Sequence, residues 1–370
     1  MRSTLFAAVV AATAIVLGGA PSRAQNAYIS NYGDNNVSVI ATSSNTVTAT
    51  IPVGTGPVGV AVAPDGSQVY VANTASVIEA SSYTVTATIP VASGPYGLAA
   101  TPDGSKVYVA AQGSNKISVI ATLSNTAIAT IPVGSSPIGV AVTPDGSAVY
   151  VTNSASNNVS VIETSSNTVI ATIPVGGVPY GVAVTPDGGK VYVANIGSYT
   201  VSVIATSSNT VIATIPVGST PYGVAVTPDG NNVYVTNAGA ANVSVIATSS
   251  DTVTATIPVG AGPRGLSVTP DGSKVYVTTY PNSVSVIATS SDTVTATIPV
   301  GFQPYAFGVF IQPAEPPLTF AGTPGNNNCH GQSVAALAAE FGGLNAAAEA
   351  LGFSSVRALQ NAIWAFCRAS

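Results

Sequence analysis

Charge is scarce in this chain. Of 370 residues, 9 are Lys or Arg and 14 are Asp or Glu, where about a quarter charged is usual. So few basic groups, and none clustered, exclude the Lys and Arg patches that displace counterions from nucleic acid. Histidine occurs once, at His330, and cysteine only at Cys329 and Cys367. One His and two Cys make an incomplete zinc set. Cys329-His330 lacks the first cysteine of a Cys-x-x-Cys-His haem attachment, because that position is Asn326. No stretch after Leu17 approaches the roughly 18 apolar residues of a membrane-spanning helix.

The one long apolar run is at the start. Met1-Arg2 opens with a positive charge, Leu5 to Leu17 is apolar, and Ser22-Arg23-Ala24 places small residues three before and one before a cut after Ala24. This is the pattern of a secretory signal peptide over residues 1–24. No cysteine follows the cut, which argues against a lipid anchor there. The mature chain is expected to be exported (periplasmic, cell-surface or extracellular) with no membrane span. It keeps seven basic against fourteen acidic residues. Two cysteines in an exported chain read as one disulfide, Cys329 to Cys367.

What is abundant is repetition. Ile-Pro-Val opens at Ile51, Ile89, Ile131, Ile173, Ile215, Ile257 and Ile298, in steps of 38, 42, 42, 42, 42 and 41 residues. A period near forty carried by strand-forming residues is the signature of a β-propeller. The unit from Pro221 to Val259 holds four short runs: Tyr222–Val226, Val233–Asn237, Val243–Ile246 and Thr252–Val259. Each is β-branched and bounded by turn residues. Pro-Asp-Gly closes the first hairpin, proline presetting φ and glycine accepting a positive one. Pro258 and its equivalents cannot donate to a ladder, so the fourth run is the outer edge. In the first run the stretch Gly223-Val-Ala-Val226 has small residues and begins with glycine, which suits the crowded axis. In the fourth, Thr252, Thr254 and Thr256 are expected to alternate with Val253, Ala255 and Ile257 across the two faces.

The mature chain starts at a second strand. The missing inner strand is supplied at the far end by Pro304–Ile311, which aligns with Pro221-Tyr-Gly-Val. The expected fold is therefore an all-β, seven-bladed propeller over residues 26–312, closed by pairing this C-terminal inner strand with the three N-terminal strands. The segment Asn73–Glu79 is four residues shorter than its counterpart Asn153–Glu163. The shortening is expected in the second hairpin loop or third strand.

Tyr150-Val-Thr-Asn153 and Tyr234-Val-Thr-Asn237 resemble the YVTN family of β-propeller repeats, as do the Val-Ser-Val-Ile and Gly-Val-Ala-Val-Thr-Pro-Asp-Gly phrases. The resemblance covers about residues 27 to 312 and implies an exported or surface propeller. The sequence departs from it after Val-Ile, where the family often carries Asp and this chain has Ala41, Ala121, Ala205, Ala247 and Ala288.

Composition changes after Gln312. Residues 313–325 read as a Pro-rich linker, and 326–370 as a small helical module. Val334, Leu337, Ala338 and Phe341 form one apolar stripe, and Val356, Leu359, Ile363 and Phe366 another. With Ser354 as an N-cap, three short helices are expected. So small a core needs a staple, which the disulfide would supply.

Candidate site residues follow from placement. Asp65, Asp103, Asp145, Asp187, Asp229 and Asp271 sit in Pro-Asp-Gly turns and read as turn formers rather than metal ligands. The loops into the inner strands gather at one channel mouth and carry Val58, Tyr96, Ile138, Tyr180, Tyr222, Arg264 and Tyr305. Of these, Tyr96, Tyr180, Tyr222, Arg264 and Tyr305 form an amphipathic set suited to an envelope protein or carbohydrate. Such rings equally cover an axis by packing on one another. The sequence points to a non-enzymatic binding or scaffold propeller with no cofactor. The alternatives are a lactonase-like hydrolase and a structural surface component. For a hydrolase, Asp34, Glu79 and Glu163 are the acidic groups outside the turns, and none has a histidine nearby in the repeats.

Overall fold

The computed structural model describes residues 25–313, 329–341, 343–345, 347 and 356–368. The proposed leader, most of the linker and the Ser354 cap lie outside the described residues. Two compact units are present, the repeat region and a helical unit.

The repeat region is a seven-bladed β-propeller. Its described strands, β1 to β27 in chain order, form one three-stranded and six four-stranded antiparallel sheets. A regular blade is β12 (Pro137–Val142), β13 (Ala148–Asn153), β14 (Asn158–Glu163) and β15 (Thr168–Pro174), hydrogen-bonded in that order. The first strand lies innermost. A Cβ placed on Gly139 in β12 would collide with the Tyr180 carbonyl of the next blade, so glycine alone lets the inner strands meet.

The middle strands alternate fully buried Val and Ile toward both neighbouring blades. Tyr108, Ile117, Val119 and Ile131 of one blade pack on Val140, Val149, Val151 and Ile162 of the next. The core is thus a set of layers between blades. Each fully buried Val or Ile contributes about 1.5–3 kcal/mol.

The outer strands are exposed and end in proline, as an edge strand permits. Their expected strict alternation is broken. In β23 (Thr252–Pro258), Ala255 faces Val245 and Val253 faces Ile246, leaving Thr254 as an unpaired bulge. The bulge turns Val253 outward and leaves Ile257 as the buried anchor of this strand.

The ring closes at β1 (Asn26–Asn31). Tyr28 N–H donates to the Phe310 carbonyl (2.9 Å), Tyr305 N–H to Ser30 (2.9 Å) and Gln312 N–H to Asn26 (2.9 Å). The exit segment is less regular than its counterparts because it also leans on the neighbouring blade. Val60 N–H bonds Phe307 and Val62 N–H bonds Val309, both at 2.9 Å. The short blade is shortened in both its second strand, β5 (Gln68–Val71), and its third, β6 (Ser76–Glu79), and between them Asn73 Oδ1 accepts from the Thr74 and Ser76 N–H groups.

In the helical unit, α1 (Cys329–Phe341) packs on α2 (Val356–Arg368). Leu337, Leu359 and Ile363 are buried, as the two stripes require. Two helices are described in place of the expected three, with Leu344, Asn345 and Ala347 helical between them. No cysteine among the described residues is a free thiol, and Cys367 is buried. The side chain of Cys329 lies outside the described set.

Candidate functional site

The inner strands run along the axis, so each repeat position forms a ring. At the entry end, Tyr96, Tyr180 and Tyr222 come together. Tyr96 Oη lies 3.0 Å from Tyr180 Oη and 2.7 Å from Tyr222 Oη. The Tyr180 and Tyr222 rings are 4.4 Å apart. Burial pushes the Tyr96 and Tyr222 hydroxyls up, so both stay protonated. Val58 and Ile138, from the same ring of positions, are buried.

Arg264 and Tyr305 form a second group. The guanidinium lies 4.0 Å over the Tyr305 ring, and Tyr32 packs on the same Tyr305 ring at 5.5 Å between centroids. Arg264 Nη1 is buried without a hydrogen-bond partner. All five expected residues therefore share one end of the axis, divided into a tyrosine triad and an arginine–tyrosine stack.

Phe307 sits beneath the triad, edge-on to Tyr96, Tyr180 and Tyr222 at 6.0, 5.9 and 5.6 Å. Below it lies an axial well of about 480 Å³. Its wall is built from the inner strands of successive blades, Gly-Val-Ala-Val in most and Gly-Leu-Ala-Ala at 97–100, including Ala99, Ala141, Ala183 and Ala225. Ser267 carries the one polar side chain among the described lining residues. Val309 lines the well and is 65% exposed, although it is aliphatic. The size lies within the range of small-molecule sites. Phe307 and the well were missed in the sequence. Their signal was there: small residues at one phase of the inner strand, and a Phe where other repeats carry Val or Leu.

The far end of the well is ringed by the Pro-Asp-Gly turns. In each, the glycine N–H returns to the residue before proline, as Gly146 does to Thr143 (2.8 Å). Asp145 Oδ1 accepts from the Thr143 hydroxyl (2.6 Å) and the Ser147 N–H (3.0 Å). The threonine bond holds the Asp103 carboxyl down at about 2 and lowers Asp145, Asp187 and Asp229 likewise. The aspartates are turn formers, as expected. No cluster of three or more His, Cys, Asp or Glu that could hold a metal occurs among the described residues.

The profile of the Virginiamycin B lyase family matches residues 78–309. The chain belongs to this family. Solved structures share its fold. One is hydrazine synthase of Kuenenia stuttgartiensis (24% identity, TM-score 0.66, 77% of this chain and 100% of that one). Another is a functionally unknown protein from Desulfotomaculum acetoxidans DSM 771 (19%, 0.69, 78% and 99%). A third is the dihydro-heme d1 dehydrogenase NirN in complex with DHE (14%, 0.58, 78% and 75%). At these identities the likeness extends to the fold. No curated protein matches the sequence.

Proposed function

We propose that this member of the Virginiamycin B lyase family is a non-enzymatic binding propeller whose ligand enters the axial well. The observation that carries the reading is the well itself, open among the Pro-Asp-Gly turns and floored by Phe307. Water in an aliphatic well finds few partners, so an apolar occupant displaces it favourably. The titrating groups support a binding role over catalysis. Asp103, Asp145, Asp187, Asp229 and Asp271 are held below, and Tyr96 and Tyr222 above, the range where an acid or base works near neutral pH.

A neutral solvatochromic dye such as Nile red should bind with one-to-one stoichiometry. Ala183→Phe, which fills the wall, should weaken it by about tenfold or more, the scale of one lost apolar contact set. Unchanged dye binding in that variant would remove the well as the site.

A second reading places a partner on the tyrosine end, as expected for an envelope protein or carbohydrate. The unpartnered Arg264 Nη1 favours it, because a buried donor without an acceptor is costly. Arg264→Gln together with Tyr222→Ala should then abolish capture of a partner from envelope extract; unchanged capture refutes this reading.

The remaining elements of the proposal are export through the 1–24 leader, the YVTN character of the repeats and a Cys329–Cys367 bridge. The leader pattern, the Tyr-Val-Thr-Asn phrases, and the buried, non-free Cys367 support them in turn.

A further inference from the structure

The charges of the propeller are divided between its two ends. The turn end carries Asp65, Asp103, Asp145, Asp187, Asp229 and Asp271 in the inner turns. Glu79 and Glu163 end third strands at the same end, and Asp251 and Asp292 lie in its outer turns. Against these ten carboxylates stand Lys106, Lys190 and Lys274. The tyrosine end has Asp34, Lys116 and Arg264.

The six inner turns form a collar interrupted only at the exit segment, where Pro313 lies beside Gly66. A Cβ placed on Gly146 would lie 3.5 Å from the Pro102 ring of the preceding blade, and one on Gly230 3.5 Å from Pro186. Pro64, Pro102, Pro186, Pro228 and Pro270 line the well, and each is followed by one of the exposed aspartates. The carboxylates therefore stand at the lip of an aliphatic pit. The lysines of this end are drawn outward. Lys106 Nζ donates to the Thr164 carbonyl (3.0 Å), Lys190 Nζ to Thr248 (2.8 Å) and Lys274 Nζ to Thr42 (2.9 Å), all in outer turns of the next blade.

We propose that the axial well selects a cationic amphiphile, a molecule with an apolar body that fills the well and an ammonium group that stays at the aspartate collar. This rests on the axial reading above and names its ligand class. The apolar wall supplies the affinity and the collar the selectivity, because the ring of negative potential attracts cations and repels anions of equal size. Lys190 also pairs with Asp251 (2.8 Å), so the lysines' hydrogen bonds go to the outer turns and none is made to a collar aspartate among the described residues.

The test compares three probes below their micelle thresholds: octyltrimethylammonium, octyl glucoside and octyl sulfate. Each competes with Nile red on the full chain. The ammonium should bind about tenfold more tightly than the glucoside at low salt, and the sulfate more weakly than either. The preference should fade as salt screens exposed charges. In Asp187→Asn with Asp229→Asn, which keeps the turn acceptor, the ammonium preference should drop while glucoside binding holds. Equal binding of ammonium and glucoside in the native chain overturns this inference and leaves the axial site standing. Failure of all three, and of the dye, overturns the axial site itself. The salt series on the native chain decides the matter if the variants do not fold.

Discussion

Tyr276 Oη donates to Asn45 Oδ1 at 2.5 Å, a bond between residues 231 positions apart that joins the last blade to the first. The same bond recurs around the ring. Tyr108 reaches Asn167 (3.0 Å), Tyr150 reaches Asn209 (2.7 Å), Tyr192 reaches Asp251 (2.5 Å) and Tyr234 reaches Asp292 (2.9 Å). Each acceptor occupies the positive-φ position of a Ser-Ser-Asn or Ser-Ser-Asp turn. Asn and Asp tolerate that conformation, so one residue both shapes the turn and receives the neighbouring blade. Tyr276→Phe and Tyr108→Phe should each lower stability by about 1 kcal/mol, the net worth of a neutral hydrogen bond. Tyr192→Phe should cost more, roughly 1.5–3 kcal/mol, because its acceptor is a carboxylate. Thermal melting of the three variants checks both the sign and the order.

The contact of Gly181 with the Tyr222 carbonyl sets a second expectation. A Cβ at Gly181 would overlap that oxygen, and inner strands that must move apart cannot do so without disturbing their neighbours. Gly181→Ala should destabilise by about 1–3 kcal/mol, the range for overpacking. Gly177→Ala is the control, since a Cβ there has its nearest neighbour at 3.7 Å. Equal melting temperatures for the two variants would contradict close approach at the axis.

Stability should fall at both extremes of pH. Asp103 titrates at about 2 when folded because the Thr101 hydroxyl and Ser105 bond its carboxylate, against about 3.9 when unfolded. Its contribution is present above about pH 4 and is lost as pH falls through about 2. Thr101→Val should shrink the acid-dependent part of the loss. At the alkaline end, burial, then Asp65 or Asp271, raises Tyr70 and Tyr276 to about 12. The unfolded chain releases these protons near pH 10 and the folded one does not, so stability declines between about 10 and 12. Melting temperatures across both windows, with phenolate absorbance at the high end, test the two signs.

The proposed Cys329–Cys367 bridge predicts that the unreduced chain takes up no alkylating reagent and the reduced, unfolded chain takes up two equivalents. The propeller's own melting transition should stay where it is on reduction, since the repeat region is a compact unit in itself. Uptake before reduction, or a shift of the main transition, would show otherwise.

Local signals made the architecture legible. Pro258 marked the outer edge, Gly223 the axis, and the alignment of Pro304–Ile311 with Pro221-Tyr-Gly-Val marked the seam. The gathering of Tyr96, Tyr180, Tyr222, Arg264 and Tyr305 was legible because one repeat position makes one ring. What escaped depended on residues far apart in the chain. Tyr108 and Asn167 are 59 positions apart, and nothing in either repeat announces the bond. The well escaped because Ala141 or Ala183 read singly is an ordinary small residue, and the void exists only when the blades face one another. The outer-strand bulge at Thr254 escaped because unbroken alternation in sequence does not reveal a skipped register.

The exit segment has a temporal consequence. Residues 304–311 are made after every other strand of the propeller, yet they complete the blade that was made first. Until they emerge, the growing array is a spiral with a bare rim at each end, the condition in which chains pair with strangers. A protein assembled this way needs its synthesis finished, or a guardian for its open edges, before it can exist as a ring.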